Sequence, residues 1–275
     1  MLNKFGGAWT EDKIDIVEKY TRAYLKIMHK QYFKLIYFDG FAGCGDIEHS
    51  NDLPVIEGAA VRILSIDDPR SFNIYYLVEL DSKKASHLNK VLKDKFPNKK
   101  DIFVIEADCN RKLVDLANFL KKNKYHRALA FVDPQGMQVN WSSMSVFNGV
   151  DIDMWILIPT GIGVNRLLTK SGDISEKWMD KLSGFFGITE EEIKNKFYFE
   201  KEDLTLFGTK SRVTKFDKSV ARITEIYSEK LATVWKYVSK PHTLKNTKGS
   251  AMFHLILASQ NPAAQKIANS IISKY

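Results

Sequence analysis

What most restricts the fold of this chain is a repeated alternation. Lys34–Asp39, Asn73–Glu79, Asp101–Glu106, Arg127–Val132 and Met154–Ile158 are short apolar segments rich in aromatic and β-branched residues, as buried strands are. Helix-patterned segments separate several of them. Ser82–Lys95 sets Ala85, Leu88, Val91 and Leu92 on one face, and Glu57–Ile66 and Leu113–Leu120 also read as helical. Alternation at this spacing predicts an α/β chain with parallel strands, crossover helices and a helical layer on each face.

The strand ends carry acids. Asp39, Glu79, Asp108 and Asp133 each stand at or just past the C-terminal end of an apolar strand. In an open α/β sheet those ends share one edge, where ligands bind. An acid in such a place also caps the helix that follows. For each residue alone the two readings are even; one acid per strand favours a site. The first strand runs into the turn YFDGFAGCGD, where Gly40, Gly43 and Gly45 let the backbone fold tightly and approach a ligand. The spacing is neither the dinucleotide fingerprint nor a phosphate loop, which disfavours a hydride cofactor and a nucleoside triphosphate.

Around this frame, Thr10 is expected to cap an amphipathic helix ending near Lys30, with Ile14, Val17, Tyr20, Tyr24, Ile27 and Met28 on its apolar face. Ile47–Pro54 reads as a polar loop. Thr160–Phe207 suggests short helices without a strong strand, so residues 160–210 are expected to form a helical insertion or cap within a single domain spanning 1–275. Lys218–Leu231 reads as a helix and Val234–Val238 as a strand. A polar loop over Ser239–Gly249 leads to a last strand, Met252–Ala258, and Pro262 opens a final helix. Two late strands without a helix between them pair most simply antiparallel.

Composition sets outer bounds. The 275 residues are 44% hydrophobic, enough for a packed core. The net charge of +8 suits an anionic partner such as nucleic acid, and equally serves solubility. Cys44 and Cys109 are the only cysteines, and neither they nor the six histidines show metal-ligand spacing, so no metal is expected. The N-terminus lacks a signal-like apolar core and no apolar run is long enough to span a bilayer, which predicts a soluble cytoplasmic protein without a membrane partner.

Five alternating strands, a closing antiparallel pair and the acids at the strand ends resemble the Rossmann-like class I S-adenosylmethionine-dependent methyltransferase fold. The blocks YFDGFAGCG, VELDSKKASHL, EADCN, RALAFVDPQGMQVNW, DMWILIPTGIGVNRLL and KGSAMFHLILASQNP, spread from Tyr37 to Pro262, resemble more narrowly the three-Cys-motif partner (TcmP) family. The resemblance implies S-adenosyl-L-methionine as cofactor and a protein partner with a three-cysteine motif. It places Asp39, Gly40, Phe41, Gly43 and Gly45 around the methionine part of that cofactor. Glu79, with Leu80 beside it, would accept both ribose hydroxyls; Asp108 would accept from the adenine amine, with Cys109 beside the ring. Asp133, Pro134 and Gln135 would face the reacting methyl group. Amine-methylating enzymes of nucleic acids carry D-P-P-aromatic at this point; here the tetrapeptide is Asp133-Pro134-Gln135-Gly136.

The aromatic platform is therefore missing from its usual place. Trp141 or Tyr125 would have to supply it, unless they are core fillers, as aromatics on such scaffolds more often are. Asn165 and Arg166 follow the fifth strand and are candidates for the acceptor side, where the arginine would hold a phosphate; the alternative is a helix-start arginine paired to a surface acid, and the functional reading is slightly favoured. The sequence thus supports a methyltransferase acting on an exocyclic amine of a DNA or RNA base. The alternative is a module that binds nucleic acid or a partner protein and keeps the fold without catalysis.

Overall fold

The computed structural model describes residues 8–47, 56–205 and 208–275. The N-terminal tip, most of the Ile47–Pro54 segment and Phe207 lie outside the described residues. Helix α1 (Ala8–Met28) is followed by strand β1 (Lys34–Asp39), α2 (Ala59–Leu64), β2 (Ile74–Glu79), α3 (Ser82–Lys95), β3 (Ile102–Glu106), α4 (Cys109–Lys122), β4 (His126–Val132), α5 (Trp141–Ser145) and β5 (Ile152–Ile158). A π-helical turn at Thr160–Val164 leads to α6 (Glu176–Phe186), α7 (Glu190–Phe197) and a hairpin, β6 (Tyr198–Thr205) with β7 (Gly208–Lys215). Then come α8 (Ser219–Ala232), β8 (Tyr237–Val238), β9 (His242–Lys245), β10 (Ala251–Ser259) and α9 (Pro262–Ile272).

The central sheet has eight strands in the order β8-β10-β5-β4-β1-β2-β3, with β9 also on β10. β1 to β5 are parallel. β10 runs antiparallel to β5 and to both β8 and β9. This is a mostly parallel, Rossmann-like sheet, closed by an antiparallel last strand. Period-two alternation divides the strands between two cores. Ile36 and Phe38, Ala128 and Ala130, and Met154 and Ile156 face the side of α4 to α8. Leu35 and Tyr37, Leu129 and Phe131, and Trp155 and Leu157 face α1, α2, α3 and α9.

That alternation decides where the acids point. Asp39 continues the Leu35–Tyr37 face, Asp133 the Leu129–Phe131 face, and Glu79 the Tyr75–Leu77 face. All three emerge on the side covered by α1. Asp153 anchors that helix lower down: its carboxylate accepts from Tyr20 Oη at 2.7 Å and from Ser259 Oγ at 2.5 Å.

Three sequence expectations need correction. The stretch after β5 is not purely helical. It contains the β6–β7 hairpin, whose strands are mostly polar and so carry no apolar period-two stripe to reveal them. The polar loop over Ser239–Gly249 holds β9; Pro241, which has no backbone N–H, separates it from β8 along the same edge of β10. Thr10 does not cap α1 but lies within its first turn, buried. Among the described residues, no helix is long and apolar enough to cross a membrane.

Candidate active site

The glycine turn after β1 is held from three directions. Gly40 N donates to Phe131 O and Ala42 N to Val78 O, both at 2.9 Å, which sews the turn to β4 and β2. Asp39 Oδ1 accepts from Phe41 N at 3.0 Å. Glu79 Oε2 accepts from Gly43 N at 3.0 Å, while Glu79 Oε1 accepts from Asp81 N at 2.9 Å. One carboxylate therefore ties the turn to the loop after β2. A carboxylate offers about four lone-pair positions, so each Glu79 oxygen keeps further accepting capacity. Gly43 has φ 65°, a backbone state that suits glycine. A Cβ on Gly40 would stand 2.7 Å from Cys109 Sγ, so any side chain here would force Cys109 or the turn away from this close approach to α4.

Above the turn lies a cavity of about 650 Å³. Gly40, Phe41 and Gly43 line it, with Glu79 and Leu80, Asp108 and Cys109, and Asp133, Pro134 and Gln135. Residues distant in the chain thus share one chamber, each at a strand end as the sheet requires. Asp108 also caps α4, accepting from Arg111 N at 3.2 Å, so the capping and lining roles coincide in one side chain. Gln135 N donates to Gln138 Oε1 at 2.9 Å, which closes the loop after β4 on itself.

Asp39 and Gly45 do not line this chamber. They lie behind the turn on a void of about 70 Å³. Asp39 is fully buried, and burial, followed by the nearby Asp133 and Glu79 charges, pushes its carboxyl up to about 7. Gly45 has φ 94°, and its carbonyl accepts from Gly58 N at 2.6 Å. Its role is to brace the turn. Burial also raises the Cys109 thiol well above its ordinary range.

The acceptor-side expectations change most. Trp141 is buried, edge-on to Tyr227 with ring centroids 6.0 Å apart, and fills the core beneath α6. Tyr125 is exposed beside the start of β1, at the opposite end of the sheet, where its carbonyl accepts from Lys34 N at 2.9 Å. Neither can stack on a base held near Asp133. The Asn165 side chain is engaged internally: its Oδ1 accepts from Lys215 Nζ at 3.0 Å and Ser219 Oγ at 2.8 Å. Arg166 is exposed and lines a neighbouring groove of about 480 Å³.

Sequence reasoning missed the contribution of α1. Trp9, Thr10 and Lys13 line the chamber, with Phe253 of β10. The Lys13 ammonium lies 2.5 Å from Asp133 Oδ2 and 5.2 Å from the centre of the Trp9 ring, which packs on Phe253 at 5.0 Å. An aromatic wall therefore stands near Asp133 after all, supplied from the first helix. The signal was present: Trp9, Lys13, Val17, Tyr20 and Tyr24 form one helical stripe. A lysine on a buried stripe requires a carboxylate partner.

No family model matches the chain, and no curated protein matches it. Three solved structures illustrate what it is similar to. A Legionella pneumophila protein of the family DUF519 is 15% identical with a TM-score of 0.44, over 93% of this chain and 99% of that one. The magnesium protoporphyrin IX methyltransferase of Synechocystis PCC 6803, solved with bound SAH, is 10% identical with a TM-score of 0.42, over 94% and 90%. Trm1 of Pyrococcus horikoshii, solved with S-adenosyl-L-methionine, is 10% identical with a TM-score of 0.40, over 95% and 67%.

Proposed function

We propose that this chain is an S-adenosylmethionine-dependent methyltransferase of the three-Cys-motif partner type, acting on an exocyclic amine of a nucleic-acid base. The observation that carries this reading is the shared chamber: Glu79, Asp108 and Asp133, from three different strand ends, line it together with the Gly40–Gly43 turn. Its volume of about 650 Å³ falls in the ~300–1,000 Å³ range of small-molecule sites.

The donor set fits the cofactor. Glu79 offers two acceptor oxygens for a ribose diol, and Asp108 an acceptor for an adenine amine. When bound, S-adenosylmethionine supplies a methyl group on a sulfonium, so the protein has little acid–base work to do. The chain's part is alignment. Asp133 Oδ1 accepts from the incoming amine and directs its lone pair, while Lys13 holds the other oxygen and fixes the carboxylate. Trp9, rather than a residue of the tetrapeptide, supplies the flat apolar wall for the base.

In an Asp133→Ala variant, cofactor binding should persist while transfer of labelled methyl groups to nucleic acid is lost. Full turnover by that variant would refute the assignment. A second reading, a binding module that keeps the fold, draws on the ion pair that already engages Asp133. It predicts salt-sensitive nucleic-acid binding without cofactor binding. Binding of both without product would point instead to a requirement for the three-cysteine partner protein.

A further inference from the structure

Beside the chamber runs the groove of about 480 Å³ that Arg166, Lys177, Trp178 and Lys181 line, with Met137 and Ile162. We propose that this groove binds the strand of single-stranded nucleic acid that carries the target base. The proposal rests on the reading of the chamber as a methyl-donor site and names the path by which the acceptor arrives.

Three observations carry it. First, the cations are uncommitted. Arg166, Lys177 and Lys181 pair with no carboxylate among the described residues; many surface lysines share that state, but these three converge on one groove. Glu176 and Asp180 share helix α6 with the two lysines, yet no carboxylate lines the groove. Second, Trp178 is 40% exposed between these cations, although most tryptophans of such folds are covered. Aromatic faces between basic side chains are how single strands are held: bases stack while the cations follow the phosphates.

Third, the groove adjoins the chamber. Ile162, on the π-helical turn after β5, lines both cavities. Met137 lines the groove and its neighbour Gln138 the chamber, so the loop after Asp133 forms the partition. The turn packs closely on β10, where a Cβ on Gly161 would overlap Ala251 O. A strand seated on Trp178 therefore delivers its next base towards Asp133. The amine must be unpaired to reach the methyl group, which a single strand offers without the cost of flipping a base out of a duplex.

The test uses the full chain and a fluorescent twelve-nucleotide DNA single strand, read by anisotropy. Trp178→Ala should weaken binding roughly 5- to 150-fold, the effect of losing one stacked base. Lys177→Gln with Lys181→Gln should lower the salt slope by about 1.4. Lys121→Gln with Lys122→Gln, at the far end of the sheet, should change affinity less than ~2-fold beyond its effect on general charge. S-adenosylmethionine binding by calorimetry should be unchanged in all three, which separates failure of the groove from failure of the chamber. Equal losses in groove and control variants would overturn the proposal. So would equal binding of the duplex, or equal competition by polyglutamate.

Discussion

Lys13 Nζ and Asp133 Oδ2 lie 2.5 Å apart and join the first helix to the end of the fourth strand across 120 positions of sequence. The lysine side chain is only 6% exposed and the aspartate 21%. The pair pins α1 over the chamber and sets the Asp133 carboxylate. Removing one partner of such a pair leaves the other charge desolvated. Lys13→Ala should therefore destabilise the fold by about 2 kcal/mol, less than a fully buried pair because Asp133 keeps some solvent. In the Asp133→Ala background the same change should cost much less. Denaturant titration of the four-protein cycle measures this, and additive losses would show that the pair is not coupled.

Gly40 tests how closely the turn must approach α4. Its absent Cβ would sit 2.7 Å from Cys109 Sγ. Gly40→Ala should cost about 1–3 kcal/mol by overpacking. Adding Cys109→Ala, which removes the obstructing sulfur, should restore most of that. Thermal melts of the single and double variants give the answer; no recovery in the double would place the strain elsewhere.

Two buried groups oppose each other in their response to pH. Asp39, pushed up to about 7 by burial, keeps a proton that the unfolded chain releases near 3.8. Its contribution is complete below that lower value and is lost as pH rises through about 7. His254 is held down at about 4, mainly by burial, with Thr160 Oγ1 2.8 Å from its Nδ1. The unfolded chain binds a proton below 6.5 that the fold refuses, so this contribution is present above 6.5 and is lost as pH falls towards 4. In Asp39→Asn only the histidine trend remains of the two. Its melting temperature should climb more steeply between pH 4 and 6.5 than that of the unaltered protein. Parallel profiles would mean that Asp39 is already ionised in the fold.

How much of this the chain discloses depends on the range of the interaction. The strands of the parallel sheet were legible because burial on both faces leaves unbroken apolar runs such as RALAFV and MWILI. The acids of the chamber were legible because strand ends in such a sheet share an edge. The hairpin β6–β7 was not, since residues such as Glu200, Lys201 and Glu202 carry no apolar stripe. Trp141 and Asn165 were misplaced for a different reason. Their partners, Tyr227, Lys215 and Ser219, lie 50 or more residues away on elements whose packing no local pattern specifies. Lys13 stands between these cases: its buried position was readable on the helix stripe, and its partner only from the fold.

The most direct measurement is a calorimetric titration of S-adenosylmethionine into the unaltered protein and into Glu79→Ala. The unaltered chain should bind one equivalent saturably, and the variant at least ~10-fold more weakly, the effect of losing hydrogen bonds to a charged acceptor. No saturable binding, or equal affinity in the two proteins, would contradict the account of the chamber.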